Sequence, residues 1–413
     1  MANLNRLLNI ALRAGTLAAK FGLLAVLAIL LPPEDVGYFG LLTAAIGWTM
    51  YAVGWEFYTF SMREIIAQGP GKLHNVARDQ SVLYGLTYLA IAPLVLLIFA
   101  TGLLPARFGF WFAVLVVLEH LGLETGRLLL ALSRPLLASF MLFLRGGAWC
   151  IIVVAALAVF PNLRHLDFVL GCWTVGSALG LLFGTSNLLI MARSGEISPI
   201  DWRWIAKGIK VAMPLMLASL AVRGLFTADR FWMEMIGGAS ILGAYVLFVG
   251  VATSILSFVD AGIVDFAYPK IIRAARSGDK NEFRLEMGRL EKSVLPAIGL
   301  LSLGCWFGIS VFAGALPNPT YANNLALLPP IVLAIALYGV STVPHVGLYA
   351  HGRDNVILLS QVAGLAVFVA IVLLGRSFVG IAIVPLALIG AFATILIWKI
   401  SAYINLKRML ANA

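Results

Sequence analysis

The sequence is poor in charge. Asp, Glu, Lys and Arg make up 12% of its 413 residues, while 61% are hydrophobic. Soluble domains carry about twice that share of charge, so a soluble enzyme is excluded and no nucleic-acid partner is expected. Cysteine is scarce too. Cys150, Cys172 and Cys305 are odd in number, lack CxxC spacing and lie inside apolar runs, which reads as small hydrophobes and not as a disulfide framework. The five histidines have no ligand spacing, so no metal site is expected. No small-residue cleavage site follows the first apolar stretch; Leu31-Pro32-Pro33-Glu34-Asp35 stands there instead. That stretch is read as an uncleaved first helix. There is no Ser/His/Asp set, no HExxH, no phosphate-binding glycine loop and no sizeable outer loop. These absences argue against a membrane enzyme, and no cofactor is expected.

What the sequence has is apolar length. A span needs about 20 apolar residues, and the chain holds about twelve such runs with short connections. The expected fold class is an all-α integral membrane protein of about twelve transmembrane helices, in two six-helix bundles around a central cavity. The bundles are expected to cover residues 1–195 and 196–413. Of the 29 Lys and Arg, 23 fall on one side of these helices, the other side has only Arg107, Arg164 and Arg376, and Arg145, Arg223 and Arg230 lie within the helices. This asymmetry predicts a multi-pass protein of the inner (cytoplasmic) membrane with both termini cytoplasmic. The count places the C-terminal Lys399, Lys407 and Arg408 on the cytoplasmic side. A polar loop is expected from Gln68 to Gln80, broken at Gly69-Pro70-Gly71. Part of the basic connection from Lys270 to Lys292 is expected to be an amphipathic surface helix.

The chain is organised around Trp202–Tyr245. Pro214 stands near the start of an apolar helix there, and Arg223, Asp229, Arg230 and Glu234 lie inside it. Arg223, Arg230 and Glu234 share one face at i, i+7 and i+11. A charge at the bilayer centre costs several kcal/mol, so such a helix needs an interior to turn towards. Arg230 and Glu234, one turn apart, also suit a structural ion pair. Elsewhere Arg6, Asn9, Arg13, Thr16 and Lys20 form a stripe on the first helix. Glu56 stands near the end of the second helix. His120, Glu124 and Arg127 share a face of the fourth, and Arg145 lies two turns into the fifth.

Arg13, Lys20, Arg145, Arg223 and Arg230 are candidate substrate-binding cations. A planar guanidinium binds two phosphate oxygens at once, so a cationic cavity suits an anionic head group. Glu56, Glu124, Asp229, Glu234 and Asp260 are candidates for coupling H⁺ or Na⁺, or for structural ion pairs. The turn at 31–38 and the turn at 237–245 also form a weak internal repeat, each closing one helix and opening a helix that begins with a Gly-x-Tyr-like signal.

Pro214, then Asp229-Arg230, then Gly243-x-Tyr245 resembles the seventh and eighth helices of the polysaccharide flippases. These are the O-antigen and exopolysaccharide exporters of the multidrug/oligosaccharidyl-lipid/polysaccharide superfamily. Pro32-Pro33-Glu34-Asp35-Val36-Gly37-Tyr38 and Arg63-Glu64 resemble the first repeat of the same family. The resemblance implies alternating access and export of a polyprenyl-diphosphate-linked oligosaccharide from the inner to the outer leaflet. Its expected partners are that lipid-linked saccharide, membrane lipids and other polysaccharide-assembly proteins. By pattern, Arg223 and the Asp229-Arg230 pair carry over from the family. The alternative is a multidrug exporter of the same fold class, which calls for an acidic cavity that binds organic cations.

Overall fold

The computed structural model describes residues 2–68, 70–191 and 198–412. Gly69, Arg193 and the expected bundle boundary at 195/196 lie outside the described residues. Every element is helical: α1 (Ala2–Leu30), α2 (Pro33–Gly54), α3 (Tyr58–Gln68), α4 (Leu73–Ala100), α5 (Gly109–Ala131), α6 (Pro135–Phe143), α7 (Trp149–Val159), α8 (Leu166–Met191) and α9 (Trp202–Ala252) come first. Then follow α10 (Ser254–Val259), α11 (Asp265–Ser277), α12 (Lys280–Ala315), α13 (Pro319–Asn323), α14 (Leu328–Val340), α15 (Thr342–Ala350), α16 (Asp354–Val379) and α17 (Ile383–Asn412). The described residues contain 10 stretches long and apolar enough to cross a membrane. Two of them, Trp202–Ser277 and Asp354–Leu410, run to 76 and 57 residues, and each is long enough for two crossings. An all-α polytopic membrane protein is therefore the observed fold class. Leu94, Leu374 and Phe378 are 61%, 77% and 88% exposed, a surface suited to lipid and not to water.

Several helix ends differ from the sequence reading. The expected Gln68–Gln80 loop is largely helical, because α3 reaches Gln68 and α4 starts at Leu73. Polarity marked these residues as loop, yet Leu73, Val76, Asp79 and Gln80 are buried against their own unit. The second span ends earlier than expected. Trp55 and Glu56 take φ of 55° and 52°, a left-handed geometry that no helix continues through. The seventh and eighth spans are separated as expected, at Gly238 with φ 80°. The basic connection folds as α11 and the start of α12, which runs on without a break into the next span.

The chain divides into two compact units. The first comprises Met1–Leu31 and Leu42–Leu220. In it α1 packs along α6 and α7, and α5 packs along α8. Gly176, Gly180 and Gly184 recur every fourth residue on α8. A methyl at these positions would stand 2.6 Å from Trp149, 2.9 Å from Arg145 and 2.4 Å from Met141. Small residues at this spacing let two helix backbones approach in lipid. Phe57 and Phe60 close the end of this unit on Trp204, with ring centroids 5.3 and 5.2 Å away.

The second unit comprises Pro32–Leu41 and Ala221–Ala413. Its core gathers Ile271, Met287, Leu290, Val294 and Tyr403, and the α16–α17 hairpin packs on α14. The two halves of the internal repeat meet here. Ser240 donates its hydroxyl to Glu34 at 2.7 Å, and Gly37 lies against Ala239 and Gly243.

Candidate functional site

The first unit buries two charge clusters. α5 places His120, Glu124 and Arg127 on one face, as the spacing predicts. Glu124 is 4% exposed. It accepts from the Tyr84 hydroxyl at 2.6 Å, the Gln80 amide at 2.8 Å and Arg127 at 2.5 Å. Arg127 also stands 3.9 Å from Glu56, and its guanidinium lies over the Tyr58 ring at 3.5 Å. The left-handed pair at 55–56 delivers the Glu56 carboxylate to this cluster. Such strain persists where surrounding contacts over-determine it. His120 is fully buried. Its Nδ1 lies 2.7 Å from the Tyr88 hydroxyl, and its Nε2 has no hydrogen-bond partner among the described residues.

The second cluster centres on Arg145. A π-turn over Leu144–Ala148 carries it, and Gly122 leaves room for its side chain, since a methyl there would sit 2.7 Å from Arg145 Cδ. Arg145 is 9% exposed. It donates to the Glu119 carbonyl at 2.7 Å and stands 3.5 Å from the Glu119 carboxylate. That carboxylate accepts from Trp173 Nε1 at 2.9 Å and the Ser177 hydroxyl at 2.6 Å. Arg145 is thus a neutralised cation, and Glu119 is the residue that holds it.

The α1 stripe is different. Arg13 and Lys20 are exposed. Arg13 donates to the Ser139 hydroxyl at 3.0 Å, and Lys20 lies beside Gly146 of the π-turn. Neither makes an ion pair among the described residues. Glu56, Asp79, Glu119 and Glu124 are meanwhile all bonded to arginine.

In the second unit Asp229 is fully buried. It accepts from Tyr245 at 2.8 Å, from the Arg230 backbone N–H at 2.7 Å and from the Arg230 guanidinium, 3.4 Å away. Arg230 therefore pairs with its neighbour, and no Arg230–Glu234 ion pair occurs among the described residues. Arg230 also donates to the Phe226 carbonyl, which draws the guanidinium back along the helix. Arg223 is half-buried, within electrostatic reach of Tyr338. Glu234 is half-buried, and Asp260 is exposed at the start of a second π-turn, Asp260–Val264. The candidate residues thus fall into separate clusters within each unit: Glu56 with Glu124, Arg145 with Glu119, and Asp229 with Arg230.

The burial of one charge was missed by the sequence reading. Lys399, counted there with the cytoplasmic residues, is 2% exposed inside α17. Its neighbours Ile397, Trp398 and Ile400 are apolar, and that was the available signal. Tyr84 and Gln80, which satisfy Glu124, carry no charge and gave no sequence signal, and Tyr245 stood out only as part of the Gly243-x-Tyr245 pattern and not as the partner of Asp229.

No protein-family profile and no curated protein sequence matches this chain. Solved structures do. The inward-facing conformation of a multidrug resistance MATE family transporter of the MOP superfamily superposes with a TM-score of 0.76 at 13% identity, covering 95% of this chain and 96% of that one. This chain shares the fold of that transporter. An outward-facing MATE transporter matches with a TM-score of 0.64 at 13% identity over 97% of this chain and 95% of that one. A MOP superfamily transporter from Pyrococcus furiosus, described as having a binding pocket of reverse polarity that suggests a different function, matches with a TM-score of 0.62 at 13% identity. It covers 98% of this chain and 94% of that one. The MOP fold thus appears in neighbours of both facing states.

Proposed function

We propose that this chain is an alternating-access exporter of the inner membrane, with both termini cytoplasmic, and that its cargo is a polyprenyl-diphosphate-linked oligosaccharide. The observation that carries the anionic cargo is the charge inventory of the first unit. Four carboxylates of this unit, Glu56, Asp79, Glu119 and Glu124, are engaged by arginine, while Arg13 and Lys20 of α1 are exposed with no carboxylate partner among the described residues. Cations left over in a low-dielectric setting favour an anionic head group and disfavour a neutral one. The diphosphate meets Arg13 and Lys20, and the polyprenyl chain stays in lipid.

A second reading is export of organic cations. The MATE neighbours favour it, because the first of them is described as a multidrug resistance transporter. Glu234 and Asp260, without ion pairs among the described residues, would be the cation-binding groups. The comparisons alone lean this way. The reverse-polarity pocket described for the Pyrococcus furiosus transporter supports treating cargo charge as variable within this fold.

Mass spectrometry of polyprenyl-linked saccharides in a deletion strain separates the two. The first reading expects a completed lipid-diphosphate oligosaccharide to accumulate, and an Arg13→Gln/Lys20→Gln variant to restore export at least about tenfold less well than wild type at equal membrane abundance, since each charge-assisted hydrogen bond contributes about 1.5–3 kcal/mol. A normal lipid pool with loss of cationic-dye efflux would replace it with the second.

A further inference from the structure

The second unit holds a cavity of about 370 Å³ that the diphosphate assignment does not use. Two irregular turns line it. One is the π-turn at Asp260–Val264, and the other is the interruption at Ser341 between α14 and α15. π-turns inside helices recur at functional sites because they open the backbone and redirect side chains. The lining includes Asp260, Asp265, Tyr338, Ser341, His345 and Lys399.

The charges are distributed unevenly. Asp260 and Asp265 are exposed, so they belong to the rim. Lys399 is 2% exposed and Ser341 is 1% exposed, so they belong to the buried end. The Lys399 ammonium sits 5.9 Å from the centroid of the Tyr338 ring and within electrostatic reach of His345. It makes no ion pair and no hydrogen bond among the described residues. A buried ammonium without a carboxylate or a hydrogen-bond acceptor is costly, and Lys399 lines this open space. A simple anion reaching Lys399 would pass two carboxylates of its own sign. A simple cation attracted by the rim would meet an ammonium at the far end. A molecule with an anionic group at one end and an ammonium at the other matches both.

We propose that this cavity binds a small zwitterion, its carboxylate or phosphate on Lys399 and its ammonium towards Asp260 and Asp265. The Thr342 and Tyr338 hydroxyls, which also line the cavity, supply further donors to the anionic end. A volume of this size suits a head-group-sized ligand and not an oligosaccharide. A free amino acid and a zwitterionic lipid head group share this chemistry.

The test uses the full chain in nanodiscs of phosphatidylglycerol, titrated calorimetrically with O-phosphoethanolamine and with β-alanine. Saturable binding of either zwitterion is expected. Acetate, inorganic phosphate and ethylammonium should each bind at least tenfold more weakly. Lys399→Met and Asp260→Asn should each weaken zwitterion binding at least tenfold. Lys399→Met should melt no lower than wild type, because it removes an unpartnered buried charge. If phosphatidylethanolamine in the nanodisc abolishes O-phosphoethanolamine binding, the lipid head group is the natural occupant; if it does not, a soluble zwitterion is. The proposal is overturned if neither zwitterion binds saturably, if the half-molecules bind as tightly, or if Lys399→Met binds like wild type. Binding is read directly, so failure of the cargo assignment leaves this result unaffected.

Discussion

Gly243→Ala isolates the close approach that joins the two halves of the repeat. A methyl on Gly243 would stand 2.0 Å from the carbonyl oxygen of Pro33 and 2.7 Å from its carbonyl carbon. Both are backbone atoms, so no side chain can swing aside, and real Cβ contacts below 3.0 Å are essentially never seen. The helix start at Pro33 must therefore retreat by about 1 Å. A gap of 0.5–1 Å already forfeits a quarter to a half of each dispersion contact. The neighbouring contacts of Gly37 with Ala239 and of Gly40 with Val246 weaken together with it. Overpacking of this kind costs about 1–3 kcal/mol, and because the obstacle is backbone we expect the upper end. At about 2–4 °C per kcal/mol for a unit of this size, the apparent Tm in detergent should fall by roughly 5–10 °C, read by intrinsic fluorescence. Gly299→Ala is the control. It lies in α12 with nothing within 4 Å of the added methyl, and alanine in an open helical position is worth about 0.5–1 kcal/mol over glycine. A Gly243→Ala melting point equal to or above that of wild type would refute the reasoning.

Two further outcomes follow from the buried carboxylates. Glu119→Ala strands the guanidinium of Arg145 and leaves Trp173 and Ser177 without their acceptor, so a loss of about 3–5 kcal/mol is expected; a denaturation midpoint unchanged from wild type would show that the pair is dispensable. Tyr245→Phe removes the hydroxyl that donates to Asp229 at 2.8 Å. A bond to a charged acceptor contributes about 1.5–3 kcal/mol, so the variant should melt lower than wild type while remaining helical by circular dichroism, and full retention of Tm would contradict the assignment.

The membrane class and the run of spans were legible because lipid imposes one strong rule, about 20 apolar residues per crossing. The shared face of His120, Glu124 and Arg127 was legible because α5 is an uninterrupted helix with a fixed period. Arg145 shows where this fails. Its helix contains a π-turn, and the partner it meets, Glu119, lies on a different helix, so no local spacing links them. Glu56 fails for a related reason: two left-handed residues end the helix that an apolar run appeared to continue. The pairing of Arg230 was ambiguous by spacing alone, with Glu234 one turn away and Asp229 adjacent. Tertiary contacts resolved it, since the Tyr245 hydroxyl holds Asp229 and the Phe226 carbonyl draws Arg230 towards it. Lys399 was hidden by its place in the chain, because a lysine close to a basic C-terminus counts as interfacial until something buries it.

The two π-turns also bear on how chain length can change. A π-turn is a helix that holds one residue more than its neighbours need. Removing a single residue from Leu144–Ala148 or from Asp260–Val264 would restore ordinary α geometry without breaking the helix. The surplus residue is the one that is lost, so the residues beyond it keep their place and their faces. A one-residue deletion there would be absorbed locally, whereas the same deletion in the middle of α5 or α8 would turn everything beyond it by about 100° and shift it by about 1.5 Å, leaving a packed interface out of register. Arg145 and Asp260 each stand at one of these tolerant positions, so the placement of both charges is set by chain length as well as by residue type.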